Sequence, residues 1–211
     1  MTIGAGANKF LLYSVQRQAN GENTISTFTI GGQAASYTGH RYYDSGTQDF
    51  TTDLLIWNQA AISAMLGTGI SYTDNNPPAN HASSYATFQD CDQSAPTFTG
   101  ADQASGTTLG ISVTATTNDY TVSAHADQAA NRAPLGFGVL SQQVVNSASG
   151  SAFGIGGGAV SDSTITLTND GLASQMSGMC VVIKGISVSV GDGRQNMIGG
   201  MTANLLGGMS G

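Results

Sequence analysis

Leu109-Gly-Ile-Ser-Val-Thr-Ala-Thr-Thr-Asn-Asp-Tyr-Thr-Val-Ser-Ala-His125 decides the reading of the fold. Ile111, Val113 and Ala115 alternate with Ser112, Thr114 and Thr116; Tyr120, Val122 and Ala124 then alternate with Thr121, Ser123 and His125. A period of two places the two sets on opposite faces of a strand, and β-branched side chains suit a pleated surface. Thr117-Asn118-Asp119 lies between the two runs, and Asn and Asp bond their own backbone in tight turns. The stretch reads as a β-hairpin, and the chain as all-β.

Working toward the N-terminus, Asn8–Gln18 alternates as a strand, Asn20-Gly21-Glu22-Asn23 signals a turn, and Thr24–Ile30 alternates again, so a second hairpin is expected. Asp53–Leu66 reads as the one helix. Thr51 or Thr52 caps it, Gly67 ends it, and Leu55, Ile62 and Leu66 lie along one side. Trp57 falls off that stripe and is expected at a second contact surface. Thr68–Gly106 reads as long ordered loops with one or two short strands, an unusual length for a compact domain.

Toward the C-terminus, Leu135–Val145 is a weakened strand, and Ser163–Met176 reads as a hairpin about Asn169-Asp170-Gly171. Met179–Val190 is the longest apolar strand, bent at Gly185. No constant repeat appears, which disfavours a solenoid. The expected architecture is a two-layer sandwich or jelly-roll-like domain over residues 1–196, with one packed helix. A glycine- and methionine-rich tail follows over residues 197–211. Gly150–Val160 and this tail are apolar yet too glycine-rich to hold a fixed shape alone.

Charge is scarce. Asp, Glu, Lys and Arg make up 9% of the 211 residues, against about a quarter in an average soluble domain. No Lys or Arg lies between Arg41 and Arg132, while nine aspartates do. Phosphate backbones and anionic membranes need clustered basic groups, so neither is an expected partner. No run is long enough for a spanning helix, and Met1–Lys9 shows no basic region leading into an apolar one, so no signal peptide is expected. Cys91 and Cys180 are too few for a disulfide framework and are expected as free thiols.

His40-Arg41-Tyr42-Tyr43-Asp44 is where an imidazole, a guanidinium and a carboxylate sit together. An enzyme would use His40 as base with Asp44 orienting it, but no activated nucleophile accompanies them. The expectation is that Arg41 pairs with Asp44 or stacks on tyrosine, with Tyr42 and Tyr43 at an interface. Asp90, Asp92 and Asp102, with Asp74, Asn75 and Asn76, offer oxygen ligands whose spacing matches no calcium loop, so solvated carboxylates are expected rather than bound calcium. His40, His81 and His125 lie too far apart for a zinc motif. No catalytic residue, metal or cofactor is expected.

Rich in Thr, Ala, Gly and Asn with only Lys9 and Lys184 as lysines, the chain resembles virion coat and decoration proteins in composition. That resemblance implies a non-enzymatic virion subunit, capsid or decoration, whose partners are copies of itself or a capsid scaffold. Met197, Met201, Leu205, Leu206 and Met209 are expected at the interface with Trp57, Tyr42 and Tyr43. The competing expectations are an extracellular filament, sheath or surface-layer subunit, and a virion receptor- or glycan-binding module that stacks sugars on Tyr42, Tyr43, Trp57 and Tyr85.

Overall fold

The computed structural model describes residues 3, 6–44, 46, 49–76, 80–116, 118–127, 143–146, 152–159, 164–168, 174–186 and 202–204. In chain order the elements are β1 (Phe10–Ala19), β2 (Ile25–Ile30), β3 (Gln33–Ala34), β4 (Tyr37–Tyr43), β5 (Asp49–Trp57), α1 (Gln59–Ser63), β6 (Ile70–Asp74) and β7 (Asn80–Phe88). There follow β8 (Thr97–Gly106), β9 (Thr108–Ser112), β10 (Tyr120–Asp127), β11 (Gln143–Asn146), β12 (Ala152–Ala159), β13 (Thr164–Thr168), β14 (Ser174–Ile183) and β15 (Thr202–Asn204). The molecule is all-β, as expected, with a single short helix among the described residues. No described helix is long and apolar enough to cross a membrane.

Two five-stranded antiparallel sheets form the sandwich, in the orders β15-β7-β1-β5-β4 and β11-β12-β10-β14-β8. Phe10, Leu12, Leu54, Ile56, Ala86 and Phe88 of the first sheet meet Tyr120, Val122, Ala124, Met179, Val181 and Ile183 of the second. Each sheet is also covered on its far side. The three-stranded sheet β3-β2-β6 and α1 bury Leu11, Tyr13, Val15, Leu55 and Trp57, and β9 of the two-stranded sheet β13-β9 packs against Met176, Cys180 and Val182.

This layering explains where strand partners differ from expectation. β9 and β10 are strands, but not a hairpin. β9 pairs with β13, while β10 lies between β12 and β14. The Asp119 carboxylate accepts from Thr116 N at 2.8 Å and Oγ1 at 3.0 Å, so the turn forms as its residues suggest. It carries the chain between layers instead of folding it back on itself. β1 and β2 likewise belong to different sheets, as do β13 and β14.

The expected helix is part strand and part helix. Residues 53–57 complete β5, and Leu54 and Ile56 face one core while Leu55 and Trp57 face the other. A strand buried on both faces is a continuous apolar run, which periodicity alone does not separate from a buried helix. The helix shrinks to Gln59–Ser63, capped by Asn58, whose side chain accepts from Ala61 N. Ile62 is buried as expected, but Leu66 is 94% exposed.

Thr68–Gly106 contains β6, β7 and β8 rather than loops, because strands rich in Ser, Thr, Ala and Asn lack the apolar signal while still pairing through the backbone. The glycine run of 152–159 is β12, held between β10 and β11. Gly185 does mark the break after β14. A Cβ there would lie 2.0 Å from the Asn118 carbonyl oxygen, so only glycine fits. Residues 135–142 of the weakened strand lie outside the described residues, as do 187–190.

Candidate functional site

Arg17 stands on the face of β1 that carries Leu11, Tyr13 and Val15, and is 1% exposed. A guanidinium so placed needs anionic partners, since an unpaired buried charge is costly. Nη2 donates to Asp53 Oδ2, and Nη1 donates to Asp74 Oδ1 at 2.6 Å and Asn23 Oδ1 at 2.5 Å. The network thus joins β1, β5, β6 and the β1–β2 turn. Gly21, at φ 91°, lets that turn close, and its N–H donates to Asp49 at 2.5 Å. Asn75 and Asn76 accept and donate across to Thr24 and Asn20.

The other Asp53 oxygen, Oδ1, lies 2.7 Å from His40 Nδ1, and Glu22 Oε1 lies 3.1 Å from Nε2. The hydrogen bond to Asp53 raises the His40 pKa above its ordinary 6.5 against the opposing effect of burial, and Glu22 adds to the rise. In the imidazolium form both ring N–H groups donate to carboxylates. His40 and Asp53 stand in the wall of a cleft of about 430 Å³ between β2 and β4, lined also by Thr27, Thr29, Thr38 and Leu55. In that form the ring has no lone pair with which to act as a base.

Asp53, not Asp44, orients His40; the two lie opposite each other in the β4–β5 register. Arg41 bonds Asp102 of β8, not Asp44, through Nη2 and through Nε at 3.2 Å. Asp102 accepts further from Ser177 at 2.8 Å. This pair ties the margins of the two large sheets together. Asp44 instead accepts from Gly46 N.

The aspartates expected as solvated carboxylates are in part engaged by other side chains and do not converge. Asp74 holds Arg17, Asp102 holds Arg41, and Asp92 accepts from Ser94 N at 3.0 Å. No group of three or more His, Cys, Asp or Glu suited to a metal occurs among the described residues. Cys91 and Cys180 are free and buried in cores on opposite faces of the second sheet, and burial pushes both thiols up to about 12.

Of the expected interface residues, Trp57 is inside. It is 0% exposed, packs on Phe28 at 5.8 Å, and donates from Nε1 to the Gln33 carbonyl at 2.8 Å. Period two along β5 turned its ring into the core, where helical period had placed it outside. Tyr85 is buried as well, so neither ring is open to a sugar. Tyr42 and Tyr43 are half-buried on β4, and Tyr43 packs against Phe50 and Ala126. Met197, Met201, Leu205, Leu206 and Met209 lie outside the described residues.

Sequence reasoning passed over Arg17, Glu22, Asn23 and Asp53 as a site. One signal was present: an arginine at the fourth place of the alternation Leu11, Tyr13, Val15, Arg17. Comparison of the chain with protein-family models, with curated proteins and with solved structures yields no match.

Proposed function

We propose that this protein is a non-enzymatic structural subunit that self-assembles, most simply as a virion capsid or decoration subunit. The observation that carries the reading is a pair of strand edges, along one margin of the sandwich, on which no further strand lies among the described residues. β4 and β8 are the terminal strands of their sheets, and Arg41–Asp102 clasps them together. β8 is ten residues long and carries no lysine, arginine or proline on an edge that soluble monomers ordinarily guard with such residues. Its one charge, Asp102, is spent on Arg41. Charge depletion over the whole chain and a His40 locked between carboxylates support assembly over catalysis.

The test is sedimentation and negative-stain imaging of the purified chain beside a Thr97→Lys/Gln103→Lys variant. Closed shells or regular oligomers for the wild type, lost in the variant with an unchanged far-UV spectrum, are expected. Filaments would favour a sheath or surface-layer subunit. A wild-type chain that stays monomeric at every concentration overturns the reading.

A further inference from the structure

We propose that Asn20-Gly21, in the turn between β1 and β2, is a deamidation site whose rate the Asp49 carboxylate holds down. Asn20 is the one asparagine in the chain that precedes a glycine. It is exposed, and its side-chain amide has no hydrogen-bond partner among the described residues. Gly21 has no Cβ to hinder its nitrogen, and a Cβ there would meet nothing within 4 Å, so the turn is open around it.

The step needs only these two residues and water. The Gly21 nitrogen attacks Asn20 Cγ and gives its proton to solvent base. The new N–Cγ bond replaces the Cγ–Nδ2 bond, Nδ2 takes up a proton and leaves as ammonia, and a cyclic imide remains. Water then opens the imide at either carbonyl, so residue 20 becomes aspartate or isoaspartate. Attack within one chain needs no encounter between partners, only the right approach.

Approach and ionisation are both restrained in the folded chain. Gly21 N–H donates to Asp49 Oδ2 at 2.5 Å, and the Asn20 carbonyl accepts from Asn76 Nδ2 at 2.9 Å. The attacking nitrogen must give up the proton that Asp49 holds. That would set an amide anion against a carboxylate, and like charges so close disfavour ionisation. Asp49 is itself fixed, standing in β5 opposite Ala19 of β1 and hydrogen bonded to Tyr42.

The same turn supports the charge network, since Glu22 meets His40 and Asn23 accepts from Arg17. Deamidation adds a carboxylate close to Glu22 in sequence. Isoaspartate also reroutes the backbone through Cβ, turning the carbonyl that Asn76 holds into a free carboxylate. The modified turn is therefore a poorer support for Arg17 and His40.

Peptide mapping by mass spectrometry after incubation in mildly alkaline buffer measures the conversion, read as a rise of about 1 Da at residue 20. Folded wild type, urea-unfolded wild type, Asp49→Asn and Asn20→Gln are compared. Conversion should be slowest in the folded wild type, at least about threefold faster in folded Asp49→Asn, and faster again in the unfolded chain. Asn20→Gln should show no comparable rise at this position. The converted fraction carries more negative charge, separates by anion exchange, and should melt below its parent. A folded wild type that converts as fast as the unfolded chain overturns the restraint, even where Asp49→Asn does not fold. A rate in folded Asp49→Asn equal to or below that of wild type overturns it too, and the lower rate would make Asp49 the base of the reaction. A converted fraction that melts with its parent overturns the effect on the network, and an unfolded wild type that does not convert removes the site altogether.

Discussion

Arg17 shows how a single charge can hold a layered β protein together. Its guanidinium joins Asp53, Asp74 and Asn23, so its removal leaves two carboxylates in a site built for three charges. Arg17→Met should cost about 3–5 kcal/mol, the range for removing one partner of a buried ion pair, read as a fall in the urea midpoint. His40 gives a second expectation. Its pKa is raised in the folded state, so its contribution to stability is full below the ordinary 6.5 and is lost as pH rises through the folded value. The stability gap between wild type and His40→Gln should therefore be larger near pH 6 than near pH 9, as judged by urea unfolding at roughly those two values. A gap that widens with pH would show that the imidazole is held neutral.

At the scale of elements, the short helix and the break after β14 make opposite demands. Ile62 is buried in the core that also holds Trp57 and Ile30, whereas Leu66 stands in solvent. Ile62→Ala should cost about 2–4 kcal/mol, and Leu66→Ala should fall within about 0.5 kcal/mol of wild type, as expected of an exposed substitution. Equal costs would restore a longer helix with Leu66 packed. At Gly185 any Cβ meets the Asn118 backbone, which has no flexible end to move aside. Gly185→Ala should lower the melting temperature by several degrees, consistent with a cost of about 1–3 kcal/mol.

For the molecule as a whole, few ion pairs are available to screen. Assembly should survive a rise in NaCl from about 0.05 to about 1 M, monitored by light scattering, because a Debye length near 3 Å weakens only exposed charge contacts. Dissociation in salt would assign the interface to a handful of aspartates. A chain ending at Asn196 should keep its β-rich spectrum and assemble poorly, since it loses β15 while both large sheets retain their cores. Normal assembly of that truncation would leave the β4 and β8 edges as the operative contacts.

The sequence by itself determined the secondary-structure class and several local events. Alternation in Leu109–His125 and Phe10–Gln18 made strands, Asp119 made a turn, Gly185 made a break, and two separated cysteines stayed free. These depend on neighbours a few residues away, and such signals survive without knowledge of the fold. Tertiary structure decided which strands pair and which faces are covered. Covering both large sheets on both sides turned Asp53–Trp57 into a strand, hid Trp57 and Tyr85, and split three expected hairpins among separate layers. The site followed the same rule. His40 stood out as an imidazole beside Arg41, but its partners Asp53 and Glu22, and the Arg17 that shares Asp53, come from three other places along the chain. Long-range pairing and burial alone bring those charges within hydrogen-bonding distance.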